Sequence, residues 1–180
     1  MVYVYLADGF EEVEALTIVD VLRRAGVAVQ TVSIMKDLIV TGAHDVPVIA
    51  DMLFEDTANE NCRMMVLPGG GPGTQRLLGH AGLRAALTAF AGEGGKIAAI
   101  CAAPMVLAQA GLLDGKKATI FDGMEGELPK GSYKKANVVA DGDIITSRGP
   151  GTAMAFAFRL VEALVGADAA KGVAAKMLCG

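Results

Sequence analysis

The chain has 180 residues, which points to one domain large enough to bury a core without disulfide or metal staples. Apolar residues make up 53% and charged residues 20%, which excludes intrinsic disorder. The 23 glycines close apolar runs instead of keeping a collagen period, and 16 basic against 20 acidic residues (net −4) argue against an electrostatic nucleic-acid binder.

Strand-like and helix-like segments alternate along the chain. Val2–Leu6 is a short apolar, β-rich run, broken by Asp8 and Gly9. Residues 12–25 carry a broad apolar stripe through Val13, Leu16, Val19 and Leu22, predicting a helix. Acids at Glu11, Glu12 and Glu14 and bases at Arg23 and Arg24 suit its dipole, and Gly26 suits its end. A second strand is predicted at 27–34, and shorter ones at 38–41 and 46–50. Residues 54–63 form a polar connection. Met64–Leu67 is another buried strand, stopped by Pro68-Gly69-Gly70-Gly71-Pro72-Gly73. A helix follows at 81–91, then a strand at Lys96–Ile100 and a helix at 103–110. Further short strands are predicted at 117–120, 138–140 and 144–146. Ala153–Val165 is apolar nearly all round and predicts a buried helix, with a last helix at 167–177.

The mean hydropathy of +0.45 is high and tests a membrane reading. The longest nearly uncharged apolar run, 98–113, has 16 residues and contains Pro104 and Gln109. A spanning helix needs about 20. The N-terminal stretch turns polar at Asp8 and has no basic region, unlike a signal peptide. The expectation is a cytoplasmic protein whose apolar strands are covered on both faces. Three widely spaced cysteines (Cys62, Cys101 and Cys179) and two histidines (His44 and His80) show no metal-ligand spacing. No metal and no cofactor is expected.

Alternating strands and helices imply an α/β sandwich with a mostly parallel sheet, whose site lies at the carboxyl ends of the strands. Cys101 ends the strand KIAAI and opens the helix AAPMVLAQAG. A cysteine there is either an exposed nucleophile, made acidic by the helix N-terminus, or a small buried core residue. LPGGGPG can present backbone N–H groups to an oxyanion or a phosphate, or be a plain turn; it lacks the G-K-[ST] ending of a P-loop. Glu11, Glu12 and Glu14 are ordinary helix-start acids unless one points back over the strand ends. There, burial beside a thiolate would raise its pKa and keep it protonated. Ser147-Arg148-Gly149-Pro150-Gly151-Thr152 is either a loop with Gly151 or Thr152 as helix cap, or a pocket wall with Arg148 as an anion or packing partner.

Four stretches, DGFEEVEALTIVDVLRRAG, VLPGGGPGTQRL, IAAICAAPMVLAQAGLL and ITSRGPGTAMAFAFRLVEAL, together resemble the DJ-one/ThiJ/PfpI superfamily. The resemblance is closest to its parkinsonism-associated deglycase and bacterial ThiJ-like branch and spans nearly the whole chain. It implies a flavodoxin-like three-layer sandwich and a homodimer. It further implies Cys101 as the reactive cysteine, Glu14 as its partner acid, and the N–H groups of Gly70 and Ala102 as an oxyanion hole. Gly69, Phe121, Arg148 and Pro150 are candidates to line the pocket. Two departures stand out. PfpI-type peptidases place a histidine directly after the cysteine, where this chain has Ala102, which disfavours a peptidase or amidase. The deglycase branch often has a histidine where aligning KATIF puts Phe121. The function the resemblance implies is a glutathione-independent glyoxalase or protein deglycase acting on 2-oxoaldehydes. The alternatives are a redox sensor in which Cys101 is oxidised to a sulfinate, and a holdase-type chaperone, for which no dedicated segment exists.

Overall fold

The computed structural model describes residues 1–179. The strands are β1 (Val2–Leu6), β2 (Val29–Ser33), β3 (Ile39–Thr41), β4 (Pro47–Ile49), β5 (Met52–Leu53), β6 (Met64–Leu67), β7 (Lys96–Ile100), β8 (Val138–Asp141) and β9 (Ile144–Ser147). The helices are α1 (Glu12–Arg24), α2 (Gly71–Gly79), α3 (Ala81–Gly92), α4 (Pro104–Gln109), α5 (Ala153–Val165) and α6 (Ala167–Lys176). Seven strands form one sheet in the order β5-β2-β1-β6-β7-β9-β8, parallel except for β8 at the edge. Strands β3 and β4 form a separate antiparallel hairpin. This is the flavodoxin-like α/β sandwich.

Strand alternation sorts the core into two halves. Val2, Val4 and Leu6 of β1, with Met64 and Val66 of β6, face α1, α5 and α6. Tyr3 and Tyr5 of β1, with Met65 and Leu67 of β6, face α2, α3 and α4. Because both faces are covered, β1 and β6 are buried throughout. That burial accounts for the high hydropathy. Among the described residues no helix is long and apolar enough to cross a membrane.

Three sequence expectations are corrected. Helix α2 begins inside the glycine-rich run, where Pro72 sits in its first turn and suits the start of a helix. Thr74 and Leu77 are buried beneath it, so packing overrides the poor helix propensity of glycine. Residues 117–120 are not a strand: the place beside β7 is taken by β9, leaving the segment one isolated bridge, Ala118 to Tyr133. The two-residue β5 extends the sheet past β2 and carried no sequence signal.

Candidate active site

Strands β1, β6 and β7 end side by side, and the turns that follow converge on Cys101. Cys101 has φ +64°, in the left-handed region that a residue with a side chain seldom adopts. Its N–H donates to Ser147 O (3.0 Å), and its carbonyl accepts from Phe121 N–H (2.9 Å). These bonds on both sides hold the strained turn in place. The side chain is only 9% exposed.

The acids at the start of α1 have three separate tasks. Glu11 is the N-cap: its carboxylate accepts the N–H of Glu14 at 2.8 Å. Glu12 ties the β3–β4 hairpin to the helix, accepting from the backbone N–H of His44 at 2.7 Å and meeting its Nδ1 at 2.8 Å. Glu14 is fully buried and points back over the strand ends. Its Oε2 accepts the N–H of Gly69 at 2.7 Å, beside the Cys101 sulfur, while its Oε1 is buried with no partner.

Two glycines make this possible. A Cβ on Gly69 would fall 2.5 Å from Cys101 Cβ and 2.7 Å from Glu14 Oε2, so only glycine lets carboxyl and sulfur meet. Gly70 has φ +90°, and a Cβ there would lie 2.2 Å from the Gly9 carbonyl oxygen. The backbone N–H groups of Gly70 and Ala102 lie near the Cys101 sulfur and oppose the rise of its pKa.

Burial raises the Glu14 carboxyl to about 7, against the opposing hydrogen bonds from Gly69 and Cys101. Burial, then the charge of Glu14, raises the Cys101 thiol to about 12. A thiol made acidic by the helix N-terminus is therefore not what the resting site contains. Helix α4 has only six residues, and the N–H groups of Gly70 and Ala102 offset part of the burial. Between about pH 7 and 12 the two groups together hold one proton.

Phe121 stands beside the elbow, joined to it through its own N–H. With Asn137, Arg148, Gly149 and Pro150 it lines a cavity of about 440 Å³. Arg148 is not a free anion partner. It forks onto Asp122, Nε to Oδ1 at 3.0 Å and Nη2 to Oδ2 at 2.5 Å, and also meets Asn137 Oδ1 at 3.3 Å. Neither Asp122 nor Asn137 stood out in the sequence, since nothing local links them to Arg148. Thr152 is the N-cap of α5 by position, while its hydroxyl bonds back to Gly149 and Ser147. Among the described residues, Glu11, Glu12 and His44 form one trio whose ligand-type atoms lie within 4.8 Å of one another. The His44–Glu12 pairing already engages it.

The model of the DJ-1/PfpI family matches residues 1–163. The chain belongs to that family. It is 39% identical over 177 residues to protein dj-1beta of Drosophila melanogaster, covering 97% of this chain and 95% of that one. It is 34% identical over 162 residues to the glutathione-independent glyoxalase DJR-1.2 of Caenorhabditis elegans, covering 88% of this chain and 84% of that one. The structure of oxidized Toxoplasma gondii DJ-1 superposes with a TM-score of 0.95 at 39% identity, covering 98% of this chain and 97% of that one. The chain spans only 38% of the length of the Arabidopsis thaliana DJ-1 homolog B, at 38% identity and 93% coverage of this chain. In this chain Ala102 follows Cys101, and the N–H of Phe121 bonds the Cys101 carbonyl.

Proposed function

We propose that the protein is a cofactor-independent, glutathione-independent glyoxalase or deglycase of the cytoplasm, acting as a homodimer on methylglyoxal-type 2-oxoaldehydes or their protein adducts. The observation that carries this reading is the fully buried Glu14, held by the Gly69 N–H beside the Cys101 sulfur. Such a pair combines a nucleophile with an acid whose pKa lies near neutrality, where proton transfer in both directions is efficient. The C. elegans relative named a glutathione-independent glyoxalase supports it.

The sulfur of Cys101 attacks the aldehyde carbon, forming a C–S bond as the C=O π pair moves onto oxygen. The single proton of the Cys101–Glu14 pair passes to that oxygen, giving a hemithioacetal and a Glu14 carboxylate. It makes no difference whether the proton began on sulfur or on the carboxyl. The N–H groups of Gly70 and Ala102 stabilise the oxyanion as it develops. Glu14 then removes the C–H proton next to sulfur, leaving an enediolate whose hydroxyl proton moves to the neighbouring oxygen. Protonated Glu14 returns that proton to the neighbouring carbon, and the product is a 2-hydroxyacyl thioester. Water hydrolyses the thioester to the 2-hydroxy acid and frees Cys101. Hydrogen moves only as a proton within the substrate, so the reaction needs no external oxidant or reductant.

Incubation of the purified protein with methylglyoxal, read as lactate formed, tests the proposal. Cys101→Ser should abolish turnover, because a serine without a histidine base is a poor nucleophile. Glu14→Gln should lose about 10²–10⁴-fold in rate, the usual worth of a general acid–base group. Wild-type turnover by Glu14→Gln would overturn the mechanism and favour a redox sensor. That second reading rests on the same contact: a carboxyl that holds its proton can donate to an oxidised sulfur.

A further inference from the structure

The cavity beside the elbow is far larger than a three-carbon aldehyde requires, and Phe121 forms part of its wall. Phe121 is 44% exposed, so its ring face is open to a ligand in the cavity. Its ring lies against the backbone of Gly149, where a Cβ would come within 3.2 Å of it. A side chain at 149 would push the ring away. Pro150 continues the wall. Both faces of this cavity are anchored to the nucleophile: the N–H of Phe121 bonds Cys101 O, and Ser147, the residue before Arg148, accepts the N–H of Cys101. At the rim Arg148 is forked onto Asp122, whose carboxyl pKa Arg148 and the nearby Lys135 hold below its usual value. Arg148 is thereby held away from a substrate carboxylate or phosphate, whereas an apolar group meets an aromatic wall.

Building on the reading of Cys101 as nucleophile, we infer that this cavity is a substituent subsite selecting 2-oxoaldehydes with a bulky apolar or aryl group, and that Phe121 sets the selectivity. An aryl substituent stacks on or meets edge-on the Phe121 ring while its carbonyl carbon reaches the sulfur. A methyl substituent leaves most of the cavity to water.

The test does not depend on turnover. Alkylation of Cys101 by 2-bromoacetophenone and by bromoacetone is followed by mass spectrometry. Each rate is divided by that of the same reagent with a free thiol. In the wild-type protein the aryl reagent should be favoured by about tenfold, within the range one apolar contact provides. Phe121→Ala should bring the ratio close to one, and Phe121→Tyr should keep most of the preference. Asp122→Asn frees Arg148, so a 4-carboxy derivative of the aryl reagent should gain several-fold over the neutral one in that variant alone. A wild-type ratio near one, or a ratio unchanged in a folded Phe121→Ala, overturns the inference. Because Phe121 is half exposed, its replacement should leave the melting temperature nearly unchanged, and circular dichroism checks this. Phenylglyoxal against methylglyoxal then reads the same preference in turnover. Loss of both turnovers with the alkylation preference intact would overturn the proposed reaction and leave the subsite standing.

Discussion

The N–H of Gly69 donates to Glu14 Oε2 at 2.7 Å, and in doing so holds the carboxyl of the first helix beside the sulfur at the end of β7. Glycine at 69 is thus a spacing requirement: any Cβ would stand between the two reacting groups.

Gly69→Ala should therefore lose about 1–3 kcal/mol of stability, the range for overpacking a filled interior, and should separate Glu14 from Cys101. Gly71→Ala is the control, since a Cβ there meets nothing within 4 Å. Thermal melts and alkylation of Cys101 distinguish them. Equal behaviour of the two variants would show that the Gly69 contact is unimportant.

Stability should fall with pH through the ionisation of Glu14. Its carboxyl is raised from 4.5 to about 7 in the folded chain, so the native state binds the proton more tightly than the unfolded one. The contribution is complete below about pH 4.5 and is lost as pH rises through about 7. At 1.36 kcal/mol per unit it is on the order of 3 kcal/mol. Glu14→Gln cannot ionise, so its stability relative to wild type should improve by that order between pH 4.5 and 8. Urea midpoints across this range measure it, and a pH-independent difference would contradict the raised carboxyl.

Cys101 should be the first cysteine oxidised by peroxide. Its thiol touches a carboxyl that can take the proton, and two N–H groups support the developing charge. Cys62 instead donates to the carbonyl oxygen of Met64, which cannot take its proton, and Cys179 likewise donates to that of Met177. Peptide mapping after limiting peroxide reads the order, and earlier oxidation of Cys62 or Cys179 would refute it. In Glu14→Gln the step in Cys101 reactivity near pH 7 should vanish.

A homodimer should form through α1 and the β3–β4 hairpin. Val13 and Leu16 on the helix and Ile39 and Ile49 on the hairpin are exposed, Ile49 by 76%. The two elements are joined where the N–H of Ala43 bonds the Phe10 carbonyl at 2.7 Å. Large apolar residues exposed in one region mark a surface that is covered in use. Sedimentation should show a dimer at micromolar concentration, dissociated by Val13→Asp with Ile49→Asp. A wild-type monomer would exclude it.

The sequence by itself determined the layered architecture and the place of Cys101 at a strand–helix turn. Runs such as VYVYL and MMVL are apolar without alternation, which requires cover on both faces, and the strand–Cys–helix junction places a thiol at a tight turn. Local patterns carry such information because periodicity and turn chemistry act over a few residues. Tertiary structure decided what depends on distant partners. Helix α2 starts in a run of poor helix formers because Leu77 is buried under it, and 117–120 stays out of the sheet because β9 occupies the place beside β7. Which of three neighbouring acids enters the site followed from what each one met: Glu14 at 11, His44 at 12, and Gly69 with Cys101 at 14. Arg148 lost its freedom to Asp122, 26 residues away. The proton balance of the pair was likewise set in three dimensions. Burial is a property of the assembled fold, and here it outweighs the nearby N–H groups that a reading of the helix start alone would favour.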